Sequence, residues 1–291
     1  MSITAVALAL LTVCIWSFLA YLGSSLSHLA PLLLTGIALC IGGLLSIFRV
    51  RSWKVPLGTL AVGVYGLFGY HFLLFTAFRH APTVEVNLIN YLWPLLIVLL
   101  SPLILKGYRL HLHHLLGAAS GLCGAALIVT GGKLSLDIQQ FFGYACAAAA
   151  ALVWASYSLL TKRLPPFSTG SVGAFCFISG LLALAVFVVQ ERSLAAFLAL
   201  TQRDWLFLVL IGVGPLGSAF FTWDAALKRG DPRIIGSLSY LTPLISTLIL
   251  VVVGGRVLNW VSAVAMVLII GGALVGSLDL WRKRGGGTGK G

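Results

Sequence analysis

All nineteen lysines and arginines of this chain lie at or beyond the ends of ten apolar runs. Each run is roughly 17 to 25 residues long, the length a helix needs to cross about 30 Å of hydrocarbon. That arrangement excludes a water-soluble domain, whose helices carry charge along one outer face. The runs fall near 4–22, 29–48, 56–78, 83–104, 112–130, 140–161, 169–189, 205–227, 232–253 and 257–279. Only 9% of the 291 residues are charged while 59% are hydrophobic, and the mean hydropathy is +1.05. The expected fold class is therefore an all-α polytopic membrane protein with ten transmembrane helices.

Charge also orients the chain. With the N-terminus inside, fourteen basic residues fall on the cytoplasmic side, against five (Arg79, Lys133, Arg192, Arg203 and Arg256) on the other. The bias predicts that both termini are cytoplasmic. It also gives the net charge of +12 an origin in anionic lipid rather than nucleic acid. The first run lacks a basic leader, so it reads as a span and not as a cleaved signal.

Five helices per half is an odd number, and the sequence repeats at about that interval. Pro82 and Pro232 are 150 residues apart, and the pairs Tyr91/Tyr240 and Pro94/Pro243 are each 149 apart. Trp16 in the first run answers Trp154 in the sixth. The second half must then enter the membrane in the opposite sense, as two inverted five-helix repeats. The expected units are 1–132, 133–280 and a flexible basic, Gly-rich tail at 281–291.

The chemistry concentrates in the fourth, sixth and ninth runs. Asn87, Asn90, Tyr91 and Pro94 fall at i, i+3, i+4 and i+7, on one helical face. Pro94 removes the hydrogen bond to the Asn90 carbonyl, so a kink is expected at mid-depth, with Pro243 repeating it in the ninth run. Trp154, Tyr157, Ser158 and Thr161 form a second stripe, read as cavity lining because lipid favours none of its polar tips. Ser239 and Tyr240 complete the pattern. The third run combines a strip of Gly63, Gly66 and Gly69 with His71 and Phe75; a histidine in a span serves either as a structural hydrogen bond or as a substrate or proton contact. Glu85 lies in a first helical turn, where the dipole alone can explain it. Asp224 is four residues before Lys228 and reads as its ion-pair partner. His111, His113 and His114 lack a Cys or carboxylate partner, so neither a metal nor a cofactor is expected.

These residues resemble the EamA-type members of the drug/metabolite transporter superfamily. The likeness rests on Glu85-Val86, Asn90-Tyr91-Leu92-Trp93-Pro94, Trp154-Ala155-Ser156-Tyr157 and Gly236-Ser237-Leu238-Ser239-Tyr240 with Pro243. It implies an inner-membrane exporter, most similar to the branch that handles aromatic amino acids. The chain departs from that branch at Trp223-Asp224, where an amide is expected beside the tryptophan.

Independently of the resemblance, runs without Lys or Arg do not suit phosphate-bearing substrates. Amide, hydroxyl and aromatic groups suit a small neutral or zwitterionic molecule with an apolar body. The candidate substrate contacts are Trp16, His71, Phe75, Glu85, Asn87, Asn90, Tyr91, Trp154, Tyr157, Ser158, Ser239 and Tyr240. The expected partners are that small molecule and the lipid bilayer, with monomer and dimer both open. No H-E-x-x-H, G-x-S-x-G or paired-aspartate motif suggests an enzyme.

Overall fold

The computed structural model describes residues 2–133, 137–191, 195–254, 260–276 and 278. Arg192, Arg256, Trp281 and the tail 281–291 lie outside the described residues. Along the chain come α1 (Ile3–Ser24), α2 (Pro31–Leu44), α3 (Leu57–His80), α4 (Thr83–Ile104) and α5 (Leu112–Thr130). They are followed by α6 (Ile138–Arg163), α7 (Thr169–Glu191), α8 (Gln202–Arg229), α9 (Pro232–Leu238 continued by Leu241–Gly254) and α10 (Trp260–Gly276). Seven of these, α1 and α3 to α8, are long and apolar enough to cross a membrane. No strand occurs among the described residues.

The second run departs from expectation. Helix α2 stops at Leu44, and the 3-10 turn Ile47–Trp53 leaves it at 90°. The bend is pinned by Ser46, whose Oγ donates to the Gly170 carbonyl at 2.9 Å and accepts from Trp53 Nε1 at 2.8 Å. The polar end of the run is thereby tied to the start of α7 and no longer continues the helix axis.

The helix is interrupted one turn before each proline at which a kink is expected. In α4 the helix breaks at Tyr91, and in α9 at Ser239–Tyr240. In a regular helix Leu95 N–H would donate to the Tyr91 carbonyl. Here the Tyr240 hydroxyl stands between them, donating to Tyr91 O at 3.2 Å and accepting from Leu95 N at 3.1 Å. A side chain inserted into the ladder is an established cause of a sharp bend.

Two wide π-turns were not foreseen, Tyr65–Gly69 in α3 and Gly214–Ser218 in α8. Their limits are separated by the same 149 positions as Tyr91 and Tyr240. Glycine at Gly66 has a packing reason, because a Cβ there would overlap the Tyr157 ring. Gly66→Ala is therefore expected to destabilise the protein by about 1–3 kcal/mol through overpacking, outweighing the roughly 0.5–1 kcal/mol that alanine adds to a helix. Thermal unfolding in detergent checks this, and an unchanged midpoint would remove the argument.

Helix packing relates the two halves. Helix α1 packs on α8 and α3 on α6, while α2 packs on α7 and α5 on α10. Advancing each number by five turns the first pair into the second and returns the last two to themselves. Both of those last seams are glycine-lined: Gly36 and Gly43 meet Gly180 and Gly173, and Gly117 meets Gly272 and Gly276.

Candidate functional site

Four tryptophans from four helices meet: Trp16 of α1, Trp93 of α4, Trp154 of α6 and Trp223 of α8. All six ring pairs lie between 5.2 and 6.3 Å. Phe220 joins at 5.6 Å from Trp154. Tyr70 and Tyr157 reach the same indole at 5.3 and 5.4 Å. Each such pair contributes about 0.5–1.5 kcal/mol beyond the area it buries.

Irregular backbone borders three of the four rings. Trp16 lies just before the interruption at Phe18 in α1, and Trp93 just after the break in α4. Trp223 follows the π-turn of α8. The Trp16 indole donates to the Pro215 carbonyl inside that π-turn at 3.1 Å, and Trp223 Nε1 donates to Ser158 Oγ at 3.1 Å. Ser158 is one turn after Trp154, so α6 presents one indole and orients another.

Polar groups border the rings on the α3 side. Asn90 Nδ2 donates to the Tyr70 hydroxyl at 3.1 Å, while its Oδ1 is buried without a hydrogen-bond partner. His71 is also buried. Its Nδ1 lies 2.6 Å from the Leu67 carbonyl, its ring is 5.0 Å from Tyr70, and Phe75 follows at 6.1 Å. Phe75 also lines a small open cleft between α2, α3 and α7, whose wall includes Pro31, Phe72, Arg79 and Gln190.

Seven of the sequence candidates come together here: Trp16, His71, Phe75, Asn90, Trp154, Tyr157 and Ser158. Tyr91 and Tyr240 lie in a separate cluster against α5 and α10. Ser239 Oγ donates to its own helix at Ile235 O, 3.0 Å away. Glu85 is buried with Oε2 unpartnered, and Asn87 is half-buried. Neither hydrogen-bonds to the ring cluster among the described residues. Sequence reasoning missed Trp93, Trp223, Phe220 and Tyr70. The available signal for Trp93 was its place three residues after Asn90, and for Trp223 its depth inside the eighth run.

The two ends of the bundle differ. At the lysine-rich end, Lys228 Nζ lies 2.6 Å from Asp224 Oδ2, 3.0 Å from the Phe167 carbonyl and 3.7 Å from the centre of the Phe167 ring. Thr169 Oγ1 donates to the same Asp224 oxygen at 2.7 Å. Lys162 donates to the Leu227 and Gly230 carbonyls that end α8. Arg233 binds Asp231 and the Arg109 carbonyl. Burial works to raise the Asp231 carboxyl, but the hydrogen bonds and charge of Arg233 hold it below the usual carboxylate range. At the opposite end the described cross-links are His28 Nε2 to Asp204 Oδ1 at 3.2 Å, Arg79 Nη1 to Gln190 Oε1 at 3.0 Å and Arg79 Nη2 to Glu191 Oε1 at 3.9 Å.

Comparison with known proteins gives a consistent result. The model of the EamA-like transporter family matches residues 3–130 and again residues 141–278. The chain is 39% identical over 273 residues to the aromatic amino acid exporter YddG of Ancylobacter novellus, covering 91% of this chain and 93% of that one. It is 25% identical to the protein of the same name in Escherichia coli, over 92% and 94% of the two chains. A solved crystal structure matches with a TM-score of 0.88 at 37% identity, over 96% of this chain and 98% of that chain. The chain belongs to the EamA-like transporter family and is an integral membrane transporter that carries the family's domain twice.

Proposed function

We propose that the protein exports aromatic amino acids across the bacterial inner membrane by alternating access. In this reading α2, α9 and α10 cross the bilayer along with the other seven helices, as two inverted five-helix repeats with both termini in the cytoplasm. The double family match, the constant offset of 149 and the excess of basic residues on one side support that arrangement. The groups around the rings serve binding rather than covalent chemistry.

The observation that carries the proposal is the meeting of four indoles, each on a different helix and three of them beside an interruption or turn. A substrate ring fits such a place by edge and face contacts, and the interruptions let the walls move without unfolding a helix. The names of the relatives in Ancylobacter novellus and Escherichia coli point to the same substrate class. In this reading the lysine-rich end is the cytoplasmic face, cross-linked by Asp224, Lys228, Lys162 and Arg233.

Proteoliposomes loaded with unlabelled tryptophan or phenylalanine are expected to accumulate labelled tryptophan by counterflow, and aromatic amino acids to compete best among the twenty. Asn90→Ala is expected to abolish this exchange while the protein still folds and inserts. Undiminished exchange by that variant would remove Asn90 from the site. Best competition by a non-aromatic metabolite would move the protein to another substrate class within the family.

A further inference from the structure

Two acceptors lie among the polar groups beside the ring cluster. Asn90 is 8% exposed, its amide nitrogen is engaged by the Tyr70 hydroxyl, and its Oδ1 has no hydrogen-bond partner. An unpaired buried acceptor costs about 1–3 kcal/mol, so the position is suited to a donor that arrives with the substrate. His71 adds a second acceptor. A backbone carbonyl can only accept, so the His71 nitrogen facing Leu67 O carries the proton, and Nε2 of the neutral ring keeps its lone pair.

The rings act in the same direction. The faces of Trp and Tyr are electron-rich and attract a cation, most strongly where water is excluded. No lysine or arginine side chain is recorded in contact with the four indoles, Tyr70 or Asn90 among the described residues. The only described cation–π contacts lie elsewhere, on Phe207, Phe167 and Tyr108. A carboxylate placed beside Asn90 Oδ1 and His71 Nε2 therefore meets acceptors and π faces, which repel it. An ammonium meets partners.

We infer that the site recognises the ammonium group and the ring of its substrate and leaves the carboxylate unread, so that decarboxylated aromatic amines are carried in the same class as the amino acids. This rests on the proposed export of aromatic amino acids and narrows what is recognised.

The test is competition against labelled L-tryptophan counterflow in proteoliposomes, with tryptamine, which lacks the carboxylate, and indole-3-propionate, which lacks the amine. Tryptamine is expected to inhibit at a concentration within about threefold of unlabelled tryptophan. Indole-3-propionate should need at least about tenfold more, the ratio that one hydrogen bond to a charged group supplies. If tryptophan itself does not move, the parent reading fails. If it moves and tryptamine is no better a competitor than indole-3-propionate, this inference alone is overturned. A preference for indole-3-propionate would mean that the Asn90 amide is turned over, with Nδ2 towards the substrate.

Discussion

Lys228→Met is expected to destabilise the detergent-solubilised protein by about 3–5 kcal/mol, the usual consequence of removing one partner from a buried ion pair. The Asp224 side chain is 2% exposed and that of Lys228 24%, so water cannot replace the lost ammonium. Thr169 would remain as the hydrogen-bond partner of Asp224 Oδ2, which is too little for a full charge. The same substitution removes the cation from the face of Phe167 and the bond to its carbonyl, so the loop between α6 and α7 loses its tie to α8. Combining it with Asp224→Asn should recover most of the loss, because both charges leave together and the amide still accepts from Thr169. Thermal unfolding of the single and double variants gives the answer. A single variant within about 0.5 kcal/mol of the parent would mean that the pair is solvated and contributes nothing.

Tyr240→Phe is expected to reduce counterflow at least about tenfold while the protein remains folded and inserted. Removing the hydroxyl leaves Tyr91 O and Leu95 N facing each other across the break in α4. If the surroundings hold the kink, both groups are left unpaired at about 1–3 kcal/mol each. If they do not, the ladder closes, α4 straightens, and Asn90 and Trp93 on either side of the break turn out of the ring cluster. Unfolding midpoints separate the two cases, but transport suffers in both. Parental exchange with a parental midpoint would show that Pro94 alone sets the bend.

How much of this was legible in the sequence depends on what kind of interaction fixes each element. Helical runs and their ends follow from hydropathy and charge, which act locally, and most of the observed limits lie within a few residues of the expected ones. The kinks were legible because Pro94 and Pro243 lack a donor, whatever surrounds them. The ion pair of Asp224 with Lys228 was legible from i, i+4 spacing. The π-turns were not, since a wide turn leaves no periodic trace in an apolar helix; a glycine-rich strip at a matching offset was the only sign. The early end of α2 was missed because it depends on Ser46 reaching Gly170, a contact across 124 residues. For the site, Trp154 and Asn90 stood out by lying at depth. Tyr240 also stood out, and the structure gives its hydroxyl to the α4 backbone. A tyrosine beside a proline kink looks the same in sequence whether it faces a ligand or a broken ladder in the neighbouring helix. Trp223 was not among the expected contacts; it and the aspartate next to it leave α8 in different directions, one to Ser158 and the other to Lys228.

The glycine seams have a mechanical consequence. Along α2 and α7, and again along α5 and α10, glycines bring backbone onto backbone, with Leu184 and Phe177 on one seam and Ile269 on the other packed directly against them. Contacts so close are lost along the whole seam at once or not at all. For any motion that opens one end of the bundle and shuts the other, these two pairs behave as axles, and the interrupted helices α1, α3, α4, α8 and α9 are the levers that turn on them. Each axle takes one member from each half of the chain, so neither half can swing while the other stands still.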